Sequence, residues 1–486
     1  MVLTNTQKRN IALWIAVAFM AVNAVLISQE MFWFTLFPAA LIVLGLMLFS
    51  LDRVFLIIAF FTPLSFEVFI KELGAGIALP TEPLLIGMLV IILFKILYEN
   101  PFPKEVWVHP ITIIVLLNLT WMLLTSITSE LPVVSFKYLL MQLWFIVPAY
   151  LFGTLLFKKE RRIREFLLLF MIPLAMVVIY TTYQHSLRGF GGQAAHWVMY
   201  PFFNDHTAYG AVLAMFLPVG IVFTLDHHYN RTTRLAFALL TAIIFAGLLL
   251  SVSRAAWLST FAAMGFFVIL YFKIRFRTLM LGGLVALTLL FALQDRIISR
   301  MERNTQESEE TDFAKHAQSM SNITTDASNL ERLNRWSAAQ RMIRERPVLG
   351  WGPGTYQFVY APFQKSRDLT IISTNFGDQG NVHSEYIGPM CDSGIPGTIL
   401  FVALIIGVIS LTLKLLHHDL PNRIKWYLMA VFLGLTTYYV HGFLNNFLDT
   451  DKASIPFWGF TAIIVAIDLY HKRSTATTGS DRAQTE

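Results

Sequence analysis

The sequence predicts an all-α polytopic membrane protein with about twelve to fourteen transmembrane helices, and three observations carry that prediction. The 486 residues are 56% hydrophobic and only 14% charged, with a mean hydropathy of +0.59. Soluble globular chains hold about 25% charged residues. Apolar runs of about 18–20 residues recur along the chain, the length a helix needs to cross the hydrocarbon core. The runs are continuous rather than alternating, so they read as helices and not as strands of a closed barrel.

Taken in order, the expected spans are 11–28, 31–50, 54–70, 83–98, 110–128, 136–157, 165–183, 208–225, 235–251, 255–272, 278–294, 395–415, 425–444 and 454–471. Pro63 can break the third, because a proline inside a helix removes a hydrogen bond and clashes with the preceding turn. Lys8 and Arg9 precede the first run without a small-residue cleavage site after it, which reads as a retained first helix. Glu99-Asn-Pro-Phe-Pro is a helix-stopping turn. The Ser/Thr/Gly-rich segment 472–486 reads as a disordered tail.

Charge decides sidedness and excludes several functions. The net charge of +6 is not a nucleic-acid signal, since the basic residues sit in short inter-helix loops. One set of loops carries Lys8/Arg9, Arg53, Lys95/Lys104, Lys158 to Arg164, Arg231/Arg234, Lys273 to Arg277, Arg423/Lys425 and Lys472/Arg473. Its counterpart holds Gln29-Glu30, 71–82, 129–132, 184–206, 251–254, the long interval 295–384 and 445–452. The positive-inside rule makes the first set cytoplasmic, with both termini, and puts the long interval outside. Cys391 is the only cysteine, so neither an intrachain disulfide nor a Cys-rich metal site can form.

The domain plan is therefore an N-terminal bundle over 1–294, a large outer loop over 295–384, C-terminal helices over 385–471 and the tail. Within the loop, 304–329 is polar and acidic, as mobile segments are. Ser328-Asn-Leu-Glu331 then has the capping-box pattern, opening an amphipathic helix that stops at Pro347. Leu330, Leu333, Trp336 and Ile343 share one arc, with Arg332, Arg335 and Arg346 beside it. That pattern suits a helix lying on the membrane surface, either as a simple anchor or with guanidinium groups near phosphates. Gly350, Gly352 and Gly354 with Pro353 make a turn; without a Gly-Lys-Ser/Thr sequence or a flanking strand it is not a nucleotide loop.

His383 lies just before the chain returns to the membrane, followed by Glu385. A histidine there can accept a proton near neutral pH, although polar lining is the plainer reading. Arg254 stands at the outer junction of two apolar helices, a costly position without an anionic partner. The loop 184–206 adds His185, Arg188, His196, Asn204 and His206, and Lys137 reaches the same face. Several cations and a histidine on one face suggest a site for a phosphorylated lipid, which the planar arginine fork suits.

These residues resemble those of the O-antigen ligase / O-antigen polymerase superfamily, which acts on undecaprenyl-diphosphate-linked glycans in bacteria. Ser251-Val-Ser-Arg254-Ala-Ala-Trp257 is similar to that family's Ser-Arg-Gly-Ala-Trp stretch. Arg332, with Trp336 four residues on, is similar to its loop Arg-x-x-x-Trp. The stretch 346–354 is similar to its Pro-Leu-Leu-Gly-x-Gly-x-Gly turn. His383-Ser-Glu-Tyr-Ile387 and Asp392-Ser-Gly394-Ile-Pro-Gly397 are similar to its His-Asn-x-Tyr-Leu and Glu-x-Gly-Ile-x-Gly pair, with Ser384 and Asp392 replacing the usual Asn and Glu.

The resemblance covers roughly 200–415. It implies an inverting, metal-independent glycosyltransferase of the bacterial inner membrane, without a cofactor. The donor would be an undecaprenyl-diphosphate-linked glycan and the acceptor lipid A-core or another glycan, within membrane lipids and without nucleic acid. Arg254 and Arg332 would bind the diphosphate and stabilise the leaving group, and His383 would take the acceptor proton. Arg335, Arg188, Asn204, His206 and Glu385 are the candidates for substrate contact. Ligation and repeat-unit polymerisation share these motifs. A transporter or flippase for lipid-linked sugars is the reading from a different class, with Glu67 and His441 as its ionisable candidates inside helices.

Overall fold

A computed structural model describes residues 4–70, 75–274, 327–366, 369 and 380–472. The expected span 278–294, most of the acidic segment and the tail beyond 472 lie outside them. The architecture is helical and polytopic, with ten described helices long and apolar enough to cross a membrane.

Residues Met1–Phe55 form one compact unit and Leu56–Glu486 another. In the first, α1 (Asn5–Ser28) starts at a capping box in which Thr4 and Gln7 satisfy each other's backbone amides, and it buries no residue. A turn at Phe32–Leu36 leads to α2 (Phe37–Phe49), so the expected span 31–50 is a short helix behind a turn. Phe19 stacks on Phe34 at 5.2 Å across that turn.

The expected third span, 54–70, is not a helix throughout. α3 (Leu51–Phe61) ends in a turn at Thr62–Leu64, and β1 (Phe66–Ile70) pairs antiparallel with β2 (Ala75–Leu79), Val68 opposite Ile77. Pro63 stops the helix, and the β-branched and aromatic residues beyond it pair as a hairpin. Hydropathy alone could not separate such a strand from a continued span.

α4 (Thr81–Tyr98), the short α5 (Lys104–Trp107), α6 (Pro110–Ile127) and α7 (Pro132–Ile146) follow. α7 runs through a widened turn at Val147–Phe152, which holds Pro148, into α8 (Gly153–Leu156). Then come α9 (Glu160–Ser186), α10 (His206–Leu225), α11 (Arg231–Leu250) and α12 (Arg254–Tyr271). After the interval are α13 (Ala327–Glu345), α14 (Tyr356–Val359), α15 (Ile387–Asp392), α16 (Gly394–His417), α17 (Asn422–His441) and α18 (Asp451–Tyr470).

The core of the second unit lies where α10, α17 and α18 meet their neighbours. Every residue of α18 from Asp451 to Ile467 is buried, so this helix is sheathed by protein on all sides. Phe170 stacks on Phe216 at 4.3 Å, and Phe216 meets Phe460 at 5.3 Å, joining α9, α10 and α18 through one aromatic column.

The two sets of loops separated by charge gather at opposite ends of this unit. At one end Arg423 pairs with Asp226 at 3.0 Å and Glu160 at 3.5 Å, His109 meets Asp468 at 3.4 Å, and Lys472 also pairs with Asp468. At the other, Arg346 pairs with Glu130 at 2.8 Å, Asn204 donates to Glu67, and Asp451 accepts from Ser65 and Thr81. The second end carries the candidate site.

Candidate functional site

α13 supplies two arginines to this end. It begins at Ala327, so Ser328 lies inside the first turn and not at the cap as the capping-box reading required. Glu331 instead accepts from Arg335 one helical turn on, Nε to Oε1 at 2.8 Å. Glu331, Asn334, Ala338, Ala339 and Met342 are buried, whereas Leu333 is exposed. Small residues let the helix approach Trp351, Tyr356, Tyr360, Val382 and Cys391 closely, and Trp336 and Ile343 flank that cluster. The outer segment therefore has an apolar core of its own beneath the arginines.

His383 is fixed from several directions. Its backbone adopts φ +52°, in the left-handed region, and its N–H donates to Asn381 Oδ1 at 3.0 Å. Trp336 Nε1 donates to the Val382 carbonyl at 3.0 Å. Arg335 Nη1 donates to the Asn381 carbonyl at 2.9 Å and lies 3.1 Å from His383 Nε2. Guanidinium groups only donate, so Nε2 accepts, and a neutral His383 carries its proton on Nδ1. Burial, then Arg335 and Arg332, lower the His383 pKa to about 4, with Asp205 and Glu331 opposing.

Asp205 caps α10, accepting from Thr207 N at 2.8 Å and Thr207 Oγ1 at 2.6 Å. His206 Nδ1 lies 3.1 Å from Asp205 Oδ1 and 3.2 Å from His196 Nδ1. Burial pushes Asp205 upward, but the hydrogen bonds from His206 and Thr207 outweigh it and hold the carboxyl well below the usual range.

Arg254 is the first residue of α12, after Ser253 caps that helix by accepting from Ala256 N at 3.4 Å. The turn before it packs tightly on α10: a Cβ added to Gly210 would lie 2.8 Å from Ser253 Cβ and 3.0 Å from Ser251 Oγ. That contact brings the start of α12, where Arg254 stands, against the first turns of α10. His441, at the end of α17, faces Ala255 and lies within electrostatic reach of Asp205, Arg332 and His206. Asn445 Nδ2 lies 3.1 Å from His441 Nε2.

The predicted residues thus divide. His383, Arg332 and Arg335 come together with Asp205 and His206, and Arg254 opens α12 next to Ala255, whose backbone meets His441. Asn204 is adjacent in sequence but donates to Glu67 Oε2 at 2.5 Å. Arg188 stays apart, bonded to Gln184 through its carbonyl at 2.8 Å and its side chain at 3.0 Å. No local pattern in the sequence singles out Asp205, and His441 stands out only as an ionisable residue inside a helix. A long-range fold, not a local pattern, makes them neighbours of the arginines.

Glu385 faces inward and away from this cluster. Its Oε1 accepts from Tyr438 OH at 2.6 Å, Phe447 N at 2.8 Å and Leu448 N at 2.9 Å. Its own N–H donates to the Gly442 carbonyl at 2.8 Å. It therefore staples the His383 turn to the α17–α18 connection. Burial, opposed by Tyr438 and the amides, raises its pKa from 4.5 to about 7.

The sign of the linkage follows. Stability tied to protonated Glu385 is full below about 4.5 and is lost as pH rises through 7. Glu385→Gln keeps an oxygen for all three donors and removes the buried charge. Thermal unfolding of the Gln variant should therefore fall less than wild type between pH 5 and 9. Glu385→Ala, which orphans three donors, should cost about 2–4 kcal/mol at pH 5 and less as pH rises through 7. A wild-type pH profile in the Gln variant would discard this account.

Among the described residues, a groove of about 1270 Å³ runs between α10, α11, α12 and α17. Pro218, Phe245, Trp257, Phe261, Leu433 and Trp426 line it, and its few polar side chains are threonines. Trp257 lies one turn below Arg254, and Trp426 is near the opposite end of α17. The groove therefore extends from the arginine end across the bundle. No group of three or more His, Cys, Asp or Glu side chains among the described residues could hold a metal ion.

Residues 237–402 match the family model described as O-antigen ligase. This segment is an O-antigen ligase family domain. The O-antigen ligase domain contains Arg254, Arg332, Arg335 and His383, while Asp205, His206 and His441 are supplied by flanking helices. Comparison with curated proteins gave no match. That match supports a membrane enzyme of ligase or polymerase type, a family associated with lipid-linked glycans and polysaccharides.

Proposed function

We propose that this protein transfers a glycan from an undecaprenyl-diphosphate carrier to lipid A-core or another surface acceptor on the periplasmic face of the inner membrane. What supports this reading is that Arg332 and Arg335 of α13 meet His383, on the turn before α15, and Asp205 at one end of the bundle, the end toward which an apolar groove runs. Arg254 and Arg332 hold the diphosphate and stabilise the charge that develops as it leaves. The groove takes the polyprenyl tail, so the carrier remains in an apolar phase while its head group reaches the arginines. His383 accepts the proton of the attacking hydroxyl, and displacement from the face opposite the diphosphate inverts the anomeric centre. The phosphoester already carries the driving energy, so no nucleotide is consumed.

The deciding assay uses the purified full-length chain with a lipid-linked glycan and a lipid A-core acceptor, in EDTA and without nucleotide. The expected product is glycan on the core. A ladder of repeats on the carrier would instead assign polymerisation, and no product with either acceptor would defeat the transferase reading.

A further inference from the structure

We propose that Arg335 is a gate on His383: its guanidinium occupies the Nε2 lone pair, and the donor's diphosphate frees that lone pair by drawing Arg335 to itself. The inference rests on the reading of this site as a diphosphate-dependent transferase and adds an order of events to it.

Three observations carry it. First, the contact at 3.1 Å can only be a donation from Arg335 to Nε2. The atom suited to receive a proton is therefore already used, and the Nδ1–H tautomer is imposed. Second, the hold on Arg335 is divided. Glu331 takes Nε, while Nη1 is shared between the Asn381 carbonyl and His383. A phosphate oxygen can compete for Nη1 without breaking the Glu331 pair, because the guanidinium has five donors. Third, Gly380 lies against this group: a Cβ there would stand 2.6 Å from Arg335 Cζ. The backbone at Gly380 leaves the guanidinium room that any other residue would fill.

The charged groups facing His383 give the gate its direction. Arg335 and Arg332 on α13 depress its proton affinity, whereas Asp205 at the start of α10 and Glu331 raise it. A diphosphate adds negative charge beside both arginines and offsets their effect. Donor binding therefore frees Nε2 and makes it more basic at once. The acceptor O–H then breaks toward Nε2 and its oxygen bonds the anomeric carbon, while the bond from that carbon to the phosphate oxygen breaks with its electron pair. The diphosphate departs, and the imidazolium proton passes to it or to water as Arg335 returns. An acceptor bound before the donor meets no available base, which makes donor-first binding compulsory.

The test is histidine ¹⁵N NMR on the full-length protein in nanodiscs, with the His383→Gln spectrum identifying the His383 signals. Undecaprenyl diphosphate is the probe, and its ³¹P signal reports binding in the same sample. Without probe, His383 should stay in the Nδ1–H form to below pH 5. With probe bound, its pKa should rise by one unit or more. In Arg335→Gln the free-enzyme value should already be raised, and the probe should move it less than half as far; Arg335→Lys provides a second, charge-preserving variant. Binding without a change at His383 overturns the gate and leaves the transferase reading intact. Failure to bind undecaprenyl diphosphate overturns both.

Discussion

His383→Ala should lower glycan transfer by about 10²–10⁴-fold, the range general acid–base groups contribute, while the protein remains folded in its membrane. The structural reason for expecting little loss of stability is that His383 adds no side chain to the apolar core below it. That core is built from Ala338, Ala339, Met342, Trp351 and their neighbours, and the turn is held by Ser384, Glu385 and backbone bonds. Initial rates with a saturating lipid-linked donor, together with unfolding in detergent, separate the two effects. Full activity in this variant would remove His383 from the proposed chemistry. Activity lost together with the folded state would mean that the residue's contribution is structural.

Gly394→Ala should have the largest effect on folding. Gly394 follows α15 with φ +70°, a conformation that strains any residue with a Cβ. Space forbids the substitution independently, since a Cβ would lie 2.0 Å from the Val348 carbonyl oxygen and 2.9 Å from that of Pro347. The neighbouring Ile395 N–H donates to the same Pro347 carbonyl at 2.8 Å, so the two segments cannot simply part. We expect a loss of about 3 kcal/mol or more, or failure to accumulate in the membrane. Gly265→Ala is the control: nothing lies within 4 Å of that position, and alanine in a helix interior should gain up to about 1 kcal/mol. A Gly394→Ala protein that melts with wild type would contradict the packing described for this junction.

Much of the fold was legible because membrane physics leaves large signals. Length and continuity of apolar runs gave most helices, and the alternation of basic loops sorted the chain into the two ends that the packing brings together. The errors have physical causes. Phe66–Ile70 is as apolar as a span, but Pro63 ends its helix, and only pairing with 75–79 identifies a strand. On α13 the side packed on protein is marked by Ala338 and Ala339, which large-residue hydropathy does not pick out. Hydropathy rewards large residues, whereas close packing can favour small ones. Arg254, Arg332, Arg335 and His383 stand in local patterns of the sequence, and the fold brings the last three together. Asp205 and His441 stand in none; their importance arises from α10, α12 and α17 converging. Glu385 had the right position for the site and the wrong orientation, since alternate side chains of a tight turn point to different sides.

α18 has an implication for biogenesis. Its walls come from α7, α8, α10, α16, α17 and the turn at 62–64, all of which the ribosome delivers earlier. Until residues 451–470 emerge, the slot they occupy must be held open, closed by neighbouring helices or filled by lipid. Insertion then displaces whatever was there and brings Asp451 to Ser65 and Thr81, across 386 and 370 positions of chain. The polar pair Asp451–Lys452 enters a prepared socket rather than hydrocarbon. The central helix therefore arrives after its walls, as a keystone.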